Sequence, residues 1–116
     1  MKSIRLAAVF VALFLPLMLA ACGGGGPREH SFNIQLRDGK PAGGTTTFRV
    51  KQGDTVTFNI TSNSAGEVHL HGYDLEAEME PGKPVVISFT ANATGRFLME
   101  FEKTKVEIGF LEVQPR

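Results

Sequence analysis

The sequence predicts an all-β domain, an antiparallel Greek-key sandwich of about seven short strands preceded by a secretory signal, and three observations carry that prediction. Apolar residues recur at every second position in several runs, and clusters of Gly, Asn, Asp and Ser separate those runs. Beyond the first twenty-one residues no stretch repeats its apolar positions with a helical period. Nine phenylalanines and no tryptophan point to a core knitted by Phe, Val and Ile.

The first residues stand apart from that pattern. Lys2 and Arg5 form a short basic region, and Leu6 to Leu19 is an apolar run interrupted by Pro16, too short for a comfortable membrane span. Residues 1–21 therefore read as a signal peptide. The run closes on Leu19-Ala20-Ala21-Cys22, which resembles the lipobox of bacterial lipoproteins. The resemblance implies that Cys22 is acylated and becomes the mature N-terminus, with the membrane as its partner. Gly23 follows it without the aspartate of an inner-membrane retention signal. The expected location is thus the cell envelope, at the outer membrane facing the periplasm if the organism is Gram-negative.

Cys22 is the only cysteine, so the domain has no disulfide, no thiolate ligand and no cysteine nucleophile. Gly23 to Gly26 and Pro27 form a tether that makes 22–30 a linker and 31–116 the folded domain. His30, at this boundary, reads as a solvated linker residue. Without Lys2 and Arg5, ten basic side chains remain against twelve acidic ones, a net charge of −2. No basic stripe suggests nucleic acid.

Phe32, Ile34 and Leu36 alternate with Asn33 and Gln35 as a first strand, ended by Asp38-Gly39. Residues 46–50 and 55–60 are two more, joined by Lys51-Gln52-Gly53-Asp54 as a hairpin turn. Ser62 to Gly66 is a loop leading into Glu67-Val68-His69-Leu70-His71. Asp74 to Glu80 alternates acid with apolar and, if extended, lines Asp74, Glu76, Glu78 and Glu80 along a solvated face. Val85 to Thr90, Arg96 to Glu102 and Ile108 to Val113 complete the set.

His69 and His71 sit two apart, so on one strand both side chains leave the same face. They are the only place where a metal-ligand pattern stands out. Gly72 suits the bend at the strand end, and Tyr73, the only tyrosine, reads as a packing residue. Met79 and Met99 could serve Cu(I), although their alternation with other apolar residues fits the core.

The order Thr47-Phe48-Arg49-Val50-Lys51-Gln52-Gly53-Asp54-Thr55-Val56-Thr57-Phe58, then His69, Pro81-Gly82, Gly95-Arg96-Phe97 and Ile108-Gly109-Phe110-Leu111-Glu112-Val113, resembles the cupredoxin domain over nearly all of residues 32–114. The resemblance implies the sandwich fold and puts His69 at the first copper histidine. It also puts Phe101 at the cysteine position, finds no histidine within Glu102 to Lys105, and sets Glu107 near the methionine position. A blue-copper centre needs two histidines and a thiolate, so one-electron transfer through such a centre is excluded. His69-Leu70-His71-Gly72-Tyr73-Asp74-Leu75 is similar to a motif of small bacterial cupredoxin-like proteins. Those proteins often add a histidine where this chain has Glu102.

The resemblance thus implies His69, His71 and Glu102 as the ligand set, with Glu67, Glu100 and Glu107 as weaker third candidates. Imidazole with carboxylate suits Cu(II) first and zinc second; if the site is degenerate there is no cofactor. No Gly-x-Ser-x-Gly elbow, His-Glu-x-x-His helix or phosphate loop is present, and no enzyme activity is expected. Two functions follow: a lipid-anchored, metal-handling envelope protein, or a metal-free sandwich that serves an envelope protein partner as an interaction module.

Overall fold

Alternation gives each strand one apolar face, and a strand with one apolar face is stable only against another layer. A computed structural model describes residues 25–116; the signal segment 1–21, Cys22 and the two following glycines lie outside the described residues. Among the described residues nine strands fold into two layers: β1 (Glu29–Arg37), β2 (Lys40–Pro41), β3 (Thr46–Lys51), β4 (Thr55–Ser62), β5 (Gly66–Leu70), β6 (Leu75–Met79), β7 (Val85–Thr90), β8 (Gly95–Phe101) and β9 (Val106–Gln114). One sheet runs β2-β1-β4-β7 and the other β3-β9-β8-β5-β6. The fold class is the all-β sandwich that the alternation predicts.

Three details depart from the sequence expectation. There are two more strands than about seven, because Lys40–Pro41 pairs with the end of β1 and the acid/apolar run Leu75–Met79 pairs with β5. The sheets are mixed, since β1 runs parallel to β4 and β3 parallel to β9. The turn Lys51 to Asp54 is not a hairpin: it carries the chain from one sheet to the other. Phe48 and Val50 on β3 and Val56, Phe58 and Ile60 on β4 are all buried, so the two strands face each other across the core.

Phe58 is inaccessible to solvent and Phe48 is 7% exposed, with ring centroids 5.1 Å apart. Phe32 and Phe89 close on Phe58 from its own sheet. Each fully buried side chain of this size contributes about 1.5–3 kcal/mol by leaving water. Met79 and Met99, each 1% exposed, belong to this core, which answers the soft-ligand alternative.

The sandwich also takes in His30, which is no solvated linker residue. It lies on β1 opposite Val56, and its Nε2 is 2.8 Å from the Asp54 carboxylate. Asp54, 2% exposed, also accepts from the backbone N–H groups of Arg28 and Lys51, at 2.9 Å each, and from the Arg116 guanidinium. Burial by itself raises the carboxyl's pKa, but these four donors outweigh it and hold it well below the usual carboxylate range. The start of β1, the turn after β3 and the C-terminal Arg116 are thereby tied to one side chain.

Candidate metal centre

The site arises from the register of β5 against its neighbours. Val68 and Leu70 on β5 face the core, opposite Phe101 and Met99 of β8, and all four are buried. The intervening side chains must leave the other face. His69, opposite Glu100 on β8 and Glu76 on β6, therefore shares that outer face with carboxylates on both sides.

Strand β5 ends at Leu70, so His71 opens the following turn and does not lie within the strand. The ladder nonetheless extends to it, since its N–H donates to Leu98 O at 2.9 Å. The His69 and His71 rings remain neighbours, with centroids 4.2 Å apart. The turn is fixed by its next two residues. Gly72 has φ 82°, and a Cβ there would lie 2.4 Å from the Phe97 ring, so no other residue fits without displacement. Tyr73 donates its hydroxyl proton to Ala93 O at 2.7 Å and accepts from Ala93 N–H at 3.1 Å, while its ring packs edge-on against Phe97.

On the β8 side, the backbone N–H of Glu102 donates to Glu67 O at 2.8 Å, which draws the first residue beyond β8 up to β5. Glu102 Oε2 lies 3.4 Å from His69 Nδ1 but lacks hydrogen-bond geometry; it is buried and has no hydrogen-bond partner. The other oxygen of Glu102 accepts from the Lys105 ammonium. That ammonium, seconded by His69, holds the Glu102 carboxyl below its ordinary pKa against the opposing effect of burial, and the Lys105 pKa rises in turn.

His69, His71 and Glu102 each offer one donor atom, and these atoms lie within 4.8 Å of one another. Bonds of about 2.0–2.1 Å to one tetrahedral ion would set donors roughly 3.3 Å apart, a contraction within reach of side-chain rotation. The orphaned Glu102 oxygen and the two imidazoles are a donor set that fits Cu(II) or Zn(II). A thiolate is missing among the described residues, so they cannot form a blue-copper centre.

The structure brings together the three residues the sequence singled out and adds two. Glu100 accepts from His71 Nε2 at 2.7 Å and is 7% exposed, which makes it more intimate with the site than a weaker third candidate would be. An ionised carboxylate can only accept, so the His71 Nε2 that meets it carries a proton, which leaves Nδ1 as the nitrogen to offer a metal. Strand alternation already pairs Glu100 with Glu102 on one face. Lys105 is the second addition, and its arrival depends on the shape of the β8–β9 turn, which no pattern in the sequence announces.

Glu107 is placed across β9 from Glu100 and is exposed, and Glu67 lies farther along β5 opposite Glu78. Burial first, then the neighbouring Glu76 and Glu78 charges, push the Glu67 carboxyl upward. The run from Glu76 to Glu80 presents its acids outward, with Ala77 and Met79 inward, as the alternation predicts.

No protein-family model matches the chain, and no curated protein matches its sequence. Solved structures do match. The blue copper oxidase from Nitrosomonas europaea superposes with a TM-score of 0.63 and 19% identity, over 77% of this chain and 39% of the oxidase. A copper binding protein studied in its apo form gives a TM-score of 0.59 and 14% identity, over 74% of this chain and 88% of that protein. A heme-copper terminal oxidase gives 0.61 and 20%, over 77% of this chain and 66% of its partner in the match. The chain thus spans well under half of the blue copper oxidase and just under two thirds of the matched terminal-oxidase chain. At these identities the likeness shows the fold, and that fold is the cupredoxin-like β-sandwich.

Proposed function

We propose that this chain is a lipid-anchored protein of the cell envelope that binds a copper ion through His69, His71 and Glu102, without a blue-copper electron-transfer centre and without catalysis. One observation carries the metal part: a buried carboxylate oxygen with no hydrogen-bond partner, beside two adjacent imidazoles, on the rim of a sandwich shared with copper proteins. An acceptor shielded from water and left unpaired is unfavourable, and an entering cation would offset that cost. Glu100 holds the His71 ring by its Nε2 proton, the kind of outer contact that orients metal-ligating histidines. The anchor rests on Leu19 to Cys22 and the glycine tether, and gives the protein a membrane as partner.

A second reading has its own support. Lys105 already neutralises Glu102, and His71 is already paired with Glu100, so the cluster is also a coherent ion-pair network for a metal-free module that docks an envelope partner. Calorimetric titration of the full chain in detergent with Cu(II) and with Zn(II) separates the two. Saturable one-to-one binding, weakened in His69→Ala and His71→Ala, is the expected result. Binding that survives both substitutions would refute the ligand assignment, and no binding above a denatured control would leave the metal-free module.

A further inference from the structure

The metal reading leaves one side chain unaccounted for. Lys105 sits at φ 56°, a left-handed conformation that is costly for a residue with a Cβ. That conformation is what swings its ammonium over the site, onto Glu102 Oε1 and to 3.7 Å from Glu100 Oε1. Glu100 and Glu102 leave the same face of the sheet, so without a cation between them their charges would repel. Yet the Lys105 side chain is 64% exposed, and among the described residues those two carboxylates alone pair with it. A long, flexible, solvated stem can leave without disturbing the core.

We propose that Lys105 is a built-in substitute cation, which holds the two carboxylates in place while the site is free of metal and is expelled when a divalent ion enters. The inference rests on the metal-binding reading and adds its regulation. Lys105 keeps the donor set assembled, and its expulsion lowers affinity and eases release, so the site suits a carrier that passes its ion on. An ammonium on one oxygen of Glu102 and a divalent ion on the other repel each other, which favours departure of the flexible Lys105 stem.

The test compares Zn(II) and Cu(II) titrations of the full chain in detergent with those of Lys105→Asn and Lys103→Asn. Asparagine tolerates the left-handed backbone, so Lys105→Asn removes the charge while keeping the turn. Lys103 is exposed and lies two residues away, so its loss controls for net charge. Lys105→Asn is expected to bind on the order of tenfold tighter than the parent chain, and Lys103→Asn within about twofold of it. A second measurement needs no variant. Acylation of lysines by an amine-reactive ester, followed by mass spectrometry, should find Lys105 slower than Lys103 without metal and accelerated by saturating Zn(II).

Equal or weaker binding by Lys105→Asn, or a Lys105 acylation rate indifferent to bound Zn(II), overturns the inference while the metal site stands. Binding by Lys105→Asn alone would support it in its strongest form. If neither chain binds either ion, the site reading and this inference fall together.

Discussion

The molecule holds two histidine–carboxylate groups, one near each end of β9, and they are built to opposite ends. At the first, Asp54 is nearly inaccessible and accepts from two backbone N–H groups, His30 and Arg116. At the second, Glu102 is about a third exposed, and one of its oxygens accepts nothing. Asp54 is saturated by four donors, so it has no capacity left for a ligand. Glu102 is anchored chiefly by a lysine on a solvated stem. The same residue types thus make a clasp in one place and a vacancy for a cation in the other, and the count of donors around the carboxylate decides which.

The largest expected effect comes from the clasp. Asp54→Asn should lose about 3 kcal/mol in urea unfolding, because it removes a buried charge and leaves its partners uncompensated. Retained stability would show that the clasp is ornamental. The same group sets an acid limit. Its pKa is lowered by folding from about 3.9 in an unfolded chain, so its contribution is complete above roughly pH 5 and is lost as pH falls below about 4. Urea unfolding from pH 6 to 3 should show that slope in the parent chain and a flatter one in Asp54→Asn.

Next comes the turn that presents His71. Gly72→Ala forces a Cβ against Phe97 at a left-handed φ, and should cost about 2 kcal/mol while weakening metal binding through displacement of His71. Unchanged unfolding and binding would mean that the turn adapts freely. Glu102→Gln should then separate the two groups most sharply. Its solvated ion pair is worth little, so stability should hardly change, whereas metal affinity should drop at least about tenfold. A stability loss rivalling that of Asp54→Asn would erase the distinction. His30→Asn should cost less than Asp54→Asn, under about 1.5 kcal/mol in the same urea measurement, because three donors to Asp54 remain.

Much of this was legible because strand alternation is a strong code. Val56, Phe58 and Ile60 announce a core face, and His69 with Glu102 announces an outer one. Direction and partner are not written in a period-2 pattern: nothing in Thr46 to Lys51 says that it runs parallel to β9, or that its turn crosses between sheets. His30 reads as linker because its partner, Asp54, is twenty-four residues away. Glu100 is found by alternation once Glu102 is placed. Lys105 is missed because its position depends on a φ that side-chain chemistry does not encode.

The order of strands has a kinetic consequence. β9 lies between β3 and β8, so edge strand β3 stays separated from the rest of the five-stranded sheet until β9, the last strand among the described residues, arrives. β3 pairs with no other strand, which leaves its row of N–H and C=O groups unpaired until then. Pairing at such sequence separation is slow, because a long loop must close before any contact rewards it. A chain still emerging from the ribosome therefore cannot complete this sandwich before β9 is made, and truncation before Phe110 removes nearly all of the ladder that joins β3 to the rest.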